Sequence, residues 1–236
     1  MPENKGKKVA VLQSHYIPWK GVFDMIHDVD QFIIYDEVQY SSGGWLNRNI
    51  IKTPTGGQWI TVPVVAHLDN AIEDVVFSNK KWARKHYNAI TTNYGAAPYF
   101  KQYKEWLQYI YLEREWTSLS ELNQYLMKDI SKNFLGIKTE FRNSKEFVSN
   151  GAKHEKLLSL LQSIGADHYL SGPAAKDYII EKDYDAAGIK LEWKDYAGYP
   201  EYPQLHGEFM HNVSILDLLF NCGTDAPYYI WGWRKS

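Results

Sequence analysis

A chain of 236 residues with 44% hydrophobic and 23% charged side chains can bury a core without staples, and a formal net charge of −2 offers no field for nucleic acid or an anionic membrane. The single cysteine, Cys222, excludes an internal disulfide framework and a cysteine-rich zinc site. No apolar run reaches membrane-spanning length, and the polar, basic start at 1–8 is not a signal peptide; the expectation is a cytoplasmic protein without a membrane span, folded as one domain over 1–236.

Residues 8–13 (KVAVLQ) read as a buried strand, 14–21 (SHYIPWKG) as a loop, 22–27 as a short helix and 31–35 (QFIIY) as a second buried strand. Strand, helix, strand in this spacing begins a parallel α/β sheet. After a Ser/Gly stretch at 41–44 and the segment 47–52 (NRNIIK), a turn at 53–57 leads into a strand at 59–65, with Pro63 marking an edge or a strand end. Residues 79–94, 99–113 and 119–135 read as three helices, the last with a capping box from Ser118 to Glu121 and a stop at Gly136. This helical middle, 79–136, reads as a subdomain or lid. A strand at 137–141, a helix at 151–164 closed by Gly165, short strands at 168–170 and 189–193, and a helix at 214–221 capped by Ser214 complete the chain.

Ligands in open α/β sheets bind beyond the carboxyl ends of the strands, which singles out Gln13, Ser14, His15 and Lys20 after the first strand and Asp36, Glu37 and Gln39 after the second. Gly21 would let a phosphate approach backbone N–H groups, although neither a Gly-x-Gly-x-x-Gly pattern nor a Walker loop is present. Asn47, Arg48, Asn49 and Lys52 form an anion-reading set, because arginine offers a fork and lysine a point charge to phosphate. Ser171, ahead of Gly172 and Pro173, is either an anion cradle or an ordinary cap. Tyr202, Gln204 and His206 lie among aromatics that suit stacking on a sugar or base; Trp19 has the same character, and an aromatic-rich core is the plainer account. The candidates for proton transfer are His15, His27, His206, Asp24 and Asp36, with His15 foremost for its loop position. His206, Glu208 and His211 do not match zinc-binding spacing, so no metal is expected.

Taken together, VLQSHYIPWKGVFD (11–24), DEVQ (36–39), WLNRNIIK (45–52), WITVP (59–63), SGPAAKDY (171–178), YPQ (202–204) and SILDLLFNCG (214–223) resemble the WbqC-like family in order along nearly the whole chain. The resemblance implies a bacterial enzyme of O-antigen or other surface-polysaccharide biosynthesis, working on a nucleotide-linked amino sugar. It emphasises Gln13, Pro18, Trp19, Gly21, Asp24, Asp36, Gln39, Asn47, Arg48, Asn49 and Lys52. The chain departs from the expected Gln-Pro-x-Tyr at Gln13-Ser14-His15-Tyr16. A fainter likeness links the first strand, loop and helix to pantothenate synthetase and related nucleotidyltransferases, but their His-x-Gly-His motif is replaced by Trp19-Lys20-Gly21-Val22.

Three functions follow as expectations. The first is a transferase that moves an acyl or aminoacyl group onto the amine of a nucleotide-linked amino sugar, with Arg48 and Lys52 on the pyrophosphate and His15 or Asp36 as base. The second is an adenylate-forming amide ligase, which alone would require ATP with magnesium. The third is a non-catalytic sugar-binding protein. The expected partner is the small nucleotide sugar, and a homo-oligomer is compatible with the sequence.

Overall fold

The computed structural model describes residues 6–67 and 69–234. The polar lead-in at 1–5 lies outside the described residues. The strands β1 (Lys8–Leu12), β2 (Gln31–Ile34), β7 (Glu140–Asn143), β8 (His168–Ser171) and β9 (Lys190–Trp193) form one parallel sheet in the order β7-β2-β1-β8-β9. Helix α1 (Lys20–His27) connects β1 to β2, α5 (Lys153–Ile164) connects β7 to β8, and α6 (Glu181–Ala186) connects β8 to β9. Successive strand residues point to opposite faces. Ala10, Phe32, Ile34 and Leu170 therefore join one core with α1, while Val9, Val11, Ile33 and Tyr169 join a second with Leu157, Leu160, Leu161 and Ile164 of α5 and Tyr184 of α6. Both faces of the central strands are covered, which is why β1 and β2 read as apolar runs, whereas the edge strands β7 and β9 are only partly buried. The fold class is α/β, as the sequence predicts.

The crossover from β2 to β7 carries a long insertion. It begins with the hairpin of β3 (Arg48–Thr53) and β4 (Gly56–Thr61), turned through Pro54 and Thr55, and the small pair β5 (Val64–Val65) and β6 (Val76–Phe77). The helices α2 (Lys81–Tyr94), α3 (Phe100–Gln108) and α4 (Leu119–Asp129) follow. Ile90, Leu107 and Leu122 of these helices belong to the same core as α1 and α7 (Ile215–Cys222).

Several boundaries differ from the sequence reading, each for a local reason. The strand expected at 59–65 breaks at Pro63, which has no N–H for a ladder. The helices expected to reach 113 and 135 end in π-helical turns at Tyr109–Glu113 and Ile130–Phe134. The helix expected from 151 starts at Lys153, because Gly151 holds a φ of 88° and cannot be its first turn. The strand expected at 137–141 runs instead over Glu140–Asn143, and α6 is an element that the sequence reading lacked. The predicted capping box is displaced by one residue: Ser118 Oγ accepts from Glu121 N, but the Glu121 carboxylate accepts from Thr117 N.

Candidate functional site

From β1 the chain moves to β2 and β7 on one side, then returns to β8 on the other. The reversal lies between β1 and β8, and their carboxyl ends open a crevice there. A cavity of about 550 Å³ occupies it. Val11, Leu12 and Gln13 close β1 against it, Tyr35 and Val38 follow β2, Tyr169 and Tyr178 come from β8 and beyond, and Lys153, Lys156 and Leu157 from the first turn of α5.

The polar groups there form a defined set. Lys156 Nζ lies 3.2 Å from Glu37 Oε1 and over the Tyr35 ring, whereas Lys153 is exposed and makes no ion pair among the described residues. Lys153 has a φ of 47°, a strained value for a residue with a Cβ. Two lysines in the first turn of a helix oppose its dipole, offset in part by Glu155 in the same turn and by Glu37 on Lys156, while Lys153 is left to meet an anion. Burial, with the nearby Glu37 carboxylate, pushes the Tyr35 hydroxyl up to about 12, and burial raises Tyr178 as well. Both phenols are therefore neutral donors at pH 7. The arrangement suits an anion at the α5 terminus joined to a flat group between tyrosines, with the Gln13 carboxamide in reach of its polar edge.

Other residues singled out by the sequence meet in buried networks. Ser14 donates to Asp36 through N (2.8 Å) and Oγ (2.7 Å), and the same carboxylate accepts from Ser120 Oγ and Gln124 Nε2. This joins the loop after β1 to α4. His15 is half-buried, and burial lowers its imidazole to about 4, so it is neutral at pH 7. Ile17 is buried with a φ of 37°; the Asn49 carboxamide holds that turn by donating to the carbonyls of Tyr16 (3.1 Å) and Ile17 (2.9 Å). At Gly21 a Cβ would stand 2.3 Å from the Trp19 ring, so the glycine makes room for the indole, which packs on Tyr196 and Tyr199. Asp24 is fully buried, pairs with Lys194 at 2.8 Å and accepts from Tyr199 and Arg234, fastening the end of the chain to α1.

Farther along, Asn47 donates to Val62 O, and Gln39 bridges Ala71 through the backbone. Arg48 donates to the carbonyls of Gly43 and Gly44 while its guanidinium covers the Trp59 ring at 4.4 Å. Lys52, 1% exposed, donates to Gln204 Oε1 at 2.9 Å. Gln204 Nε2, Tyr202 Oη and Tyr94 Oη all donate to the Asp217 carboxylate at 2.8–2.9 Å. Burial raises the Asp217 carboxyl against the opposing pull of these donors. His206 meets Asn93 O through Nε2 (2.8 Å) from a left-handed position. Ser171 ends β8 in the interior and bonds the hydroxyl of Tyr169 on the cavity wall.

The N-terminal and C-terminal motifs thus do meet, at Asp217, but in a closed cluster. Of the residues singled out, Gln13 lines the open cavity. The sequence reading missed Tyr35, Lys153 and Lys156, and the available signal was the pair of lysines three apart just after Asn150-Gly151. Among the described residues no group of three or more His, Cys, Asp and Glu could hold a metal ion, and no helix is long and apolar enough to cross a membrane.

The chain is similar to Uncharacterized protein Rv1507c of Mycobacterium tuberculosis (strain ATCC 25618 / H37Rv), 46% identical over 226 residues that cover 95% of this chain and 97% of that protein. No solved structure matches the chain, so the likeness to nucleotidyltransferases rests on sequence alone. The model of the WbqC-like protein family matches residues 13–229, and with the motifs above it identifies the chain as a member of that family.

Proposed function

We propose that this protein is a cytoplasmic transferase of surface-polysaccharide biosynthesis that carries an acyl or aminoacyl group onto the amine of a nucleotide-linked amino sugar. The observation that supports this reading best is the cavity at the reversal of the strand order, with two lysines at the start of α5 and tyrosine faces opposite. A nucleotide sugar has the matching parts: a diphosphate for Lys153, Lys156 and the helix terminus, and flat or ring-shaped groups for Tyr35 and Tyr178. The phosphate role that the sequence suggests for Arg48 and Lys52, which are engaged elsewhere, passes here to Lys153, which makes no ion pair among the described residues, and to Lys156, which would exchange Glu37 for the phosphate. Neither suggested base lines this cavity: His15 is a neutral imidazole beside Met127, and the Asp36 oxygens are occupied by Ser14, Ser120 and Gln124.

The test is calorimetric titration of the full chain with UDP-, dTDP- and GDP-linked amino sugars, ATP with magnesium, and acyl-coenzyme A. Saturable binding of one sugar nucleotide, weakened by Lys153→Ala and Lys156→Ala, is the expected result. Binding of ATP with magnesium alone would turn the reading to an amide ligase, and binding of none would overturn it.

A further inference from the structure

Lys20 opens α1 and is 3% exposed, yet its Nζ is buried without a hydrogen-bond acceptor among the described residues. Unpaired buried ammonium groups are costly, because water's hydrogen bonds are lost and nothing replaces them. Around Nζ stand three ring faces: Tyr199 at 4.9 Å, Tyr202 at 5.2 Å and Phe209 at 5.8 Å. Desolvation pushes the amine down to about 8, opposed by the negative charge that Cys222 and Asp217 could offer. Neither touches the amine among the described residues: burial raises the Cys222 thiol to about 12, and the Asp217 oxygens are turned to Tyr94, Tyr202 and Gln204. His211 faces the same amine and is itself lowered by burial and by Lys20. A lysine desolvated by apolar walls is the state in which lysines act as nucleophiles toward carbonyl carbon.

The box also has a thin side. Residues 194–213 contain no helix or strand longer than a single bridge, and Gly207 in that segment has a φ of 60°. Phe209 is half-buried there, edge-on to Tyr202 and to the exposed His211. Unlike Tyr199 and Tyr202, which donate to Asp24 and Asp217, Phe209 has no hydroxyl to hold it in place.

We infer that Lys20 is a carbonyl-reactive amine, reached when Phe209 swings aside, that forms an imine with an aldehyde or ketone. The nitrogen lone pair forms the C–N bond, the carbonyl π pair moves to oxygen, and that oxygen leaves as water with the two amine hydrogens. The ring walls serve the product as well as the amine: they exclude the water that would hydrolyse the imine, and their faces accept the cation when it is protonated. This inference stands on the box alone and is independent of the nucleotide-sugar reading.

The probe is acetaldehyde with sodium cyanoborohydride, which reduces the imine to a stable ethylamine, applied to the full chain with adducts mapped by peptide mass spectrometry. Lys20 is expected to label in the wild type and to gain only ~2-fold between pH 8 and 9.5, since its amine is already half neutral at pH 8. Lys80, exposed at the surface, is the internal reference that shows the reagents are active. Phe209→Ala should speed labelling at Lys20 and leave Lys80 unchanged; Phe209→Leu, smaller in effect, serves if the alanine variant loses its native circular dichroism. Absence of a Lys20 adduct in the wild type when Lys80 is modified overturns the inference, including the case in which only the Phe209 variants label. A Lys20 adduct that climbs more than about 10-fold over that interval overturns it too.

Discussion

The cavity at the ends of β1 and β8 and the cluster around Asp217 are both built from polar residues, but they differ in what those residues have left to offer. At the Asp217 carboxylate the donors are settled inside the protein: Lys52 on Gln204, Gln204 and two tyrosines on the carboxylate. Beside the cavity, Lys153 makes no ion pair among the described residues and sits at a helix terminus that attracts anions. Satisfied polar groups specify a packing, whereas groups left with free hydrogen-bonding capacity can recognise a ligand. The comparison therefore assigns architecture to one region and recognition to the other.

The largest expected effect breaks the first region. Asp217→Ala removes the acceptor of three buried donors and should cost roughly 3–5 kcal/mol of stability in denaturant unfolding. A loss below about 1 kcal/mol would mean that the cluster is not structural. Next, Asn49→Ala frees the carbonyls of Tyr16 and Ile17 at a strained turn, with an expected loss of about 1–3 kcal/mol in the same measurement.

In the second region the direction reverses. The double replacement of Lys153 and Lys156 by alanine should leave stability within about 0.5 kcal/mol and weaken sugar-nucleotide binding by roughly 10–100-fold. Arg48→Ala separates the two accounts of phosphate binding. With Arg48 bound to its own loop, the dissociation constant should move by no more than about 2-fold, within the range of surface changes away from a site. A larger loss would return the phosphate to the hairpin.

The smallest effect is read by pH. Burial lowers His15 and His86 to about 4 and Lys20 to about 8. All three are bases whose folded values lie below their unfolded ones, about 6.5 for histidine and 10.4 for lysine. Between each pair of values the unfolded chain holds more protons, so stability rises with pH from about 4 to 6.5 and again from about 8 to 10.4. Urea unfolding across pH checks both windows, and Lys20→Met should flatten the upper one while leaving the lower intact.

Residue pattern alone determined the parallel α/β core, the helical middle and the family resemblance. Apolar runs such as 8–12 and 31–34, and periodic helices such as 81–94, are local signals that tertiary packing here reinforces rather than overrides. The sequence also pointed to Gln13 at the end of the first strand, since a strand's carboxyl end is where α/β ligands gather. What it did not show was that Lys153 and Lys156 face Gln13. Those groups lie about 140 positions apart and meet because β8 pairs with the opposite edge of β1 from β2, which brings the start of α5 over the same crevice. Nor did it show that Lys52, which looks like a phosphate ligand, is closed in on Gln204. Hydrophobic periodicity is a property of neighbours along the chain. Which charge is left without a partner depends on which distant strands pair, and that only the tertiary structure decided.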